Sequence, residues 1–181
     1  MNEKQTTPEE ETRYAELQQI ALDAARMGET STLEPMLRAG MPANLADAKG
    51  NTLIMLAAYH DHPDTVECLA YYGAEVDRRN GRGQTPLAGV AFKGHMDCAR
   101  ILVHYGADPE APQGHGQTPV SFAAMFGRKQ MLVYLQSVGK HHPVKNAFLR
   151  AGATLTRVMR KLVSRLFEAR ERKRLRWAVH Y

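Results

Sequence analysis

Apolar residues along this chain fall in short runs at helical spacing, two runs to a unit, and the units recur with a fixed period. The unit that begins at Gly83 shows the pattern well. Leu87, Val90 and Ala91 share one face of a first helix, and Ile101 and Leu102 mark the inner face of a second. Thr85 is placed to cap the first helix, and Pro86 takes its first turn, where a missing N–H costs nothing. Gly94 and Gly106 end the two runs, because glycine reaches the left-handed conformation of a helix terminus freely. The polar stretch that follows, with Asp108, Pro109, Pro112 and Gly114, predicts an extended turn.

The same 33-residue ruler fits several columns. Gly40, Gly73, Gly106 and Gly139 lie on it, as do Gly50, Gly83 and Gly116. Ala24, Ala57 and Ala123 keep the step with Val90 in the remaining place, and Gly28, Gly94 and Gly127 keep it with Asp61 in theirs. Self-similarity at this period is the mark of a solenoid. Neither predicted helix of a unit is long enough to be stable alone. Stacking like units solves this by burying a continuous core, each buried Leu or Ile contributing about 1.5–3 kcal/mol relative to exposure. The expected fold is therefore all-α, and such a stack is a binding surface rather than a reaction vessel.

The ends differ from the middle. Thr7-Pro8-Glu9-Glu10 predicts a helix start near Pro8, with the glutamates at the positive end of the helix dipole, so a long first helix is expected to shield the first core face. After Val138-Gly139-Lys140-His141-His142-Pro143 no fifth unit follows. Residues 144–176 predict one or two helices with a break near Gly152 and a candidate cap at Thr154. Leu155, Val158, Met159, Leu162, Val163 and Leu166 share one face of this segment, with Arg157, Arg160, Lys161 and Arg165 opposite. The expected organisation is an acidic N-terminal extension over 1–14, four repeats over 15–49, 50–82, 83–115 and 116–140, and a basic amphipathic helical extension over 141–181.

Charge sharpens that division. The net charge of +5 hides a net of −5 over residues 1–139, where 12 Lys and Arg face 17 Asp and Glu, and a net of +10 over residues 140–181. Several readings of the basic segment stay open: its apolar face caps the last repeat, or it meets an anionic membrane, or its run Arg170, Arg172, Lys173, Arg174 and Arg176 binds nucleic-acid phosphates, or its helix binds a protein partner. No run of apolar residues is long enough for a transmembrane helix, and the acidic start MNEKQTTPEEE does not read as a secretory signal. Cys68 and Cys98 fall on apolar helix positions and are expected to be buried free thiols of a cytoplasmic protein.

The unit resembles the ankyrin repeat, whose consensus reads G-x-T-P-L-H-x-A-A, then G-H, V-x-x-L-L and G-A-D. Its residues here are Thr85-Pro86-Leu87, Gly94-His95, Ile101-Leu102 and Gly106-Ala107-Asp108 in one unit. Thr118-Pro119, Ala123-Ala124 and Gly127 stand in the next, and Thr52, Ala57-Ala58, His62 and Gly73-Ala74 in the one before. The first unit is the most worn, with Ala24-Ala25, Gly28, Met36-Leu37 and Gly40. The stretches GNTLIMLAAYH and GQTPLAGVAFKGH look most like small cytoplasmic ankyrin proteins of bacteria. The resemblance implies four helix-turn-helix units with β-turn fingers over residues 15–140. The consensus histidine is missing, replaced by Met55, Ala88 and Ser121, which predicts weaker hydrogen bonding between repeats; Leu53 stands for proline in the second unit.

No phosphate-binding loop, dinucleotide fingerprint, zinc-protease motif or nucleophile elbow occurs, so neither catalysis nor a cofactor or metal is expected. His62 and His95 read as structural members of the Gly-His column, and His141-His142 as linker residues. In the ankyrin architecture partners commonly meet the turn tips and the exposed ends of the first helices. That implies a partner-binding surface of Lys49, Arg79, Arg82 and His115 at the tips, with Tyr59, His60, Phe92, Lys93, Met125 and Phe126 on the helices. Aromatic side chains beside arginine are what binding hot spots use, and Arg79 with Arg82 favours an acidic protein.

Overall fold

The computed structural model describes residues 8–113 and 116–139. Expectations for residues 1–7, for Gly114 and His115, and for the whole basic segment from residue 140 lie outside the described residues, including the five anionic-surface residues Arg170, Arg172, Lys173, Arg174 and Arg176.

Among the described residues eight helices follow one another: α1 (Pro8–Met27), α2 (Thr30–Arg38), α3 (Leu53–Tyr59), α4 (Pro63–Tyr71), α5 (Pro86–Lys93), α6 (Met96–His104), α7 (Pro119–Met125) and α8 (Lys129–Gly139). The odd-numbered helices pack in sequence as an inner row, and α2, α4 and α6 form an outer row. The starts of α3, α5 and α7 keep the step of the glycine columns, and so do those of α4, α6 and α8. In this register α1 would begin at residue 20; it begins at Pro8, with Glu9, Glu10 and Glu11 in its first turn. No strand forms among the described residues; the fingers hold one isolated bridge, between Ala46 and Thr52.

The first helices start where their sequence dictates. Thr52, Thr85 and Thr118 accept hydrogen bonds from the backbone N–H of Met55, Ala88 and Ser121, satisfying donors that a helix start leaves orphaned. Leu53 serves without proline because the threonine cap remains and its side chain is wholly buried. Small residues set the spacing of the inner row. Ala57, Val90 and Ala123 are fully buried and Ala24 is nearly so, letting neighbouring helices approach closely. Leu69, Leu102 and Leu135, also in register, fill the core beneath the second helices.

The first two fingers are each tied by one side chain at the base. Asp47 accepts from the N–H of Lys49 and Asn51, and Asn80, one repeat later, accepts from the N–H of Arg82 and Gln84. Successive fingers are joined by the Gly81 N–H to the Lys49 carbonyl and by Asn80 Nδ2 to Asn51 Oδ1, both 2.9 Å.

Among the described residues, Met55, Ala88 and Ser121 form hydrogen bonds only within their own repeat, and the bonds between repeats come from other columns. His62 Nε2 lies 2.9 Å from the Arg26 carbonyl, His95 Nε2 lies 3.2 Å from that of Tyr59, and Arg128 Nε donates to that of Phe92 at 2.9 Å. These three side chains occupy a single column of the repeat. Each reaches a carbonyl at the end of the preceding first helix, where the helix offers no partner of its own. Asn44 and Asp77 accept from the N–H of Glu75 and Asp108. Gln113, buried, stands where Asp47 and Asn80 stand in earlier fingers; its longer side chain turns back to accept from the Thr85 N–H at 2.6 Å.

Cys98 is fully buried, whereas Cys68 is only half-buried, a correction to the expectation for that thiol; both are free. Cys68 sits outside the tightly packed line of Val66 and Leu69, so helix rotation leaves part of it at the surface. Burial, with the nearby Asp61 carboxylate, pushes the Cys98 thiol up to about 12.

Candidate functional site

The fingers and the inner helices enclose a groove of about 640 Å³ on one face of the repeats. Its walls are built by the sequence register. The fingers contribute Lys49, Asn51, Arg82 and Gln84, and helices α3, α5 and α7 contribute Met55, Leu56, Tyr59, Ala88, Gly89, Phe92 and Phe122. Phe126 closes one end and Arg26 the other.

Six of the ten partner-binding residues read from the sequence line this groove together: Lys49, Tyr59, His60, Arg82, Phe92 and Phe126. Lys93 stands just behind, with its ammonium 4.6 Å from the centre of the Tyr59 ring. Arg79 is exposed on its finger and Met125 is 61% exposed, but neither lines the groove. His115 lies outside the described residues. Met55, Leu56, Gly89 and Phe122 complete the site. They had a signal in the sequence, since positions 56, 89 and 122 are one column, but their direction toward the groove is set by how the repeats stack.

Two chemical zones result. One end is aromatic: the rings of Phe92 and Phe126 meet edge to face at 4.4 Å, and Phe122 stacks on Phe126 at 6.2 Å. Phe126 is nevertheless 44% exposed and Phe92 half-buried, so the cluster shows apolar surface to solvent. The other zone is cationic. Asp47 is the one carboxylate among the described lining residues, and its oxygens are committed to Lys49, Asn51 and Arg26. Burial pushes the Asp47 carboxyl up, but those hydrogen bonds and the Arg26 charge outweigh it and hold it below the usual range. Arg26 is held in turn by Asp23 at 2.6 Å. The side chains of Lys49 and Arg82 are exposed and form no ion pair with a described residue.

Histidines gather between the zones. Partial burial, reinforced by the nearby charges of His62, Lys93, Arg26 and His95, pushes His60 below its ordinary value, so it faces the groove neutral at physiological pH. Below it, Asp61 takes a positive φ of 64° in a column otherwise held by glycine. Its carboxylate lies 3.3 Å from His95 Nδ1 and accepts from the Cys98 thiol at 3.6 Å. Aspartate is among the few side chains that tolerate this conformation, and the two contacts help hold it there. These groups brace the repeat rather than face a ligand, and among the described residues no cluster of three or more His, Cys, Asp or Glu is placed to hold a metal ion.

Comparison with known proteins agrees with this geometry. The family model for ankyrin repeats (3 copies) matches residues 21–113 and 75–146. The chain is also similar to an ankyrin repeat protein of Pseudomonas aeruginosa, 44% identical over 59 residues. That stretch is 33% of this chain and 34% of the relative, so the likeness spans about a third of each. The helix pairs in regular register, the threonine-capped inner helices, the paired fingers and the family match lead to one conclusion: this chain belongs to the ankyrin repeat family.

Proposed function

We propose that this protein is a non-catalytic adaptor or regulator that grips a protein partner in the groove between its fingers and inner helices. Ankyrin repeats as a class are protein–protein interaction modules, and one observation carries the reading to this site. Cations on Lys49 and Arg82, ion-paired to no described residue, share a single groove with exposed aromatic side chains of Tyr59 and Phe126. Leaving apolar surface and such charge side by side gains nothing for the fold, whereas aromatic and arginine side chains together supply most of the energy of interfaces. The free thiols support a cytoplasmic setting. No helix of the described residues is long and apolar enough to cross a membrane.

The test is capture from native lysate by the full chain and by the double variant Arg79→Glu, Arg82→Glu. Both side chains are exposed, so the melting temperature should move little, surface changes costing within about 0.5 kcal/mol. Capture should fall strongly. Undiminished capture by the double variant removes the fingers from the binding surface. The second reading, binding of anionic membrane or nucleic acid, is favoured by the net charge of +10 over residues 140–181. The same experiment, repeated over a range of salt, separates it, since phosphate contacts weaken steeply with salt and an aromatic interface weakens little.

A further inference from the structure

Gly89 lies in the interior of helix α5 and faces the groove. Nearly every other described glycine carries a positive φ that a side chain would strain; Gly89 does not. A Cβ built on it would meet nothing closer than Tyr59 Cδ2 at 3.6 Å, an ordinary contact. The backbone therefore does not require glycine here, and glycine inside a helix is less stable than alanine. Its neighbours in the column are large: Leu56 one repeat earlier and Phe122 one repeat later. The absence of such a side chain at position 89 leaves a notch in the groove, with Tyr59 against it and Phe92 and Phe122 among the other lining residues of the same groove. Places where a chain gives up local stability without structural need are where function is found.

Resting on the reading of the groove given above, we infer that the Gly89 notch is a socket for one large apolar side chain of an extended, acidic partner segment. Tyr59 beside the socket, and Phe92 and Phe122 elsewhere along the groove, supply apolar contact. Charge decides the flanking chemistry. The groove's described carboxylate is already bonded, and Lys49 and Arg82 line the same groove with no described residue ion-paired to them, so carboxylates next to the inserted side chain complete the electrostatics. A basic segment would face those cations, with Lys93 close behind, and is repelled.

The experiment titrates the full-length, isotope-labelled protein with three synthetic peptides, read by backbone amide shifts. One is a glutamate-rich peptide with a central phenylalanine, the second has alanine at that centre, and the third keeps the phenylalanine but carries lysines for glutamates. The phenylalanine peptide should shift the amides of Tyr59, Gly89 and Phe122 and bind about tenfold or more tightly than its alanine counterpart. The lysine peptide should bind far more weakly. Gly89→Leu, which fills the notch, should erase the difference between phenylalanine and alanine; Gly89→Ala, which keeps the helix, should reduce it. Equal affinity for the phenylalanine and alanine peptides, a preference that survives Gly89→Leu, or no shift at the groove amides overturns the socket. Lysate capture that still depends on Arg79 and Arg82 in any of those cases shows that the socket has failed while the groove reading stands. Capture indifferent to both arginines, together with no shift at the groove amides, overturns both.

Discussion

Gly28, Gly94 and Gly127 occupy one column with φ values of 76°, 93° and 67°, yet a methyl group added to each meets a different neighbour. At Gly127 it would find nothing within 4 Å, so Gly127→Ala carries only the cost of holding an L-residue in the left-handed region, about 1–2 kcal/mol. At Gly94 it would lie 3.1 Å from Arg128 Cδ, a flexible stem that can move aside. At Gly28 it would lie 2.5 Å from His62 Nδ1 and 2.6 Å from Cγ, inside a ring that must shift as a rigid unit. That shift breaks the contact of His62 with the Arg26 carbonyl, adding about 1 kcal/mol for the hydrogen bond and more for repacking. Gly28→Ala should therefore cost about 2–4 kcal/mol, Gly127→Ala about 1–2, with Gly94→Ala between. Urea unfolding followed by far-ultraviolet circular dichroism measures all three. The decisive arm is a double-mutant cycle. With His62→Ala already present the obstructing ring is gone, and Gly28→Ala should fall to the cost seen at Gly127. If the cost at Gly28 is the same with and without His62, the packing of that histidine against the preceding repeat is not what ties the two together.

Two further outcomes follow from buried polar groups. Cys98, fully buried with its thiol pushed up to about 12, should resist a bulky thiol reagent in native buffer while half-buried Cys68 reacts first; mass spectrometry of the labelled sites would contradict this by finding Cys98 modified at an equal or faster rate. Gln113→Leu should cost about 1–3 kcal/mol, because it leaves the buried Thr85 N–H without the acceptor it now has at 2.6 Å. Hydrogen exchange at the Thr85 amide should rise in that variant, and unchanged protection would show that another acceptor takes over.

How much of this was legible beforehand depends on whether a feature repeats. The glycine columns, the threonine caps and the start of α1 near Pro8 are local, and each is imposed by backbone geometry within a few residues, so the sequence shows them directly. His62 and His95 could be assigned a structural part from their column, but their carbonyl partners lie in the preceding repeat, a separation only the stacking of repeats closes. The replacement of the consensus histidine is visible in the sequence, while Arg128 and Gln113, which bond between repeats, match no motif. The partial exposure of Cys68 depends on the exact rotation of α4, which apolar spacing does not define finely.

For the site, sequence register put the finger and helix-end residues in equivalent places of successive units, because a strict period does so, and the ankyrin resemblance implied that these places face a partner. Tertiary structure decided which of them meet. It gathered Lys49, Tyr59, His60, Arg82, Phe92 and Phe126 around one groove and left Arg79 and Met125 outside it. It also turned Gly89 from an unremarked residue of a helix into a gap between Leu56 and Phe122. A missing side chain has no signal of its own along the chain; it becomes a feature only when neighbouring helices bring large side chains to stand around it.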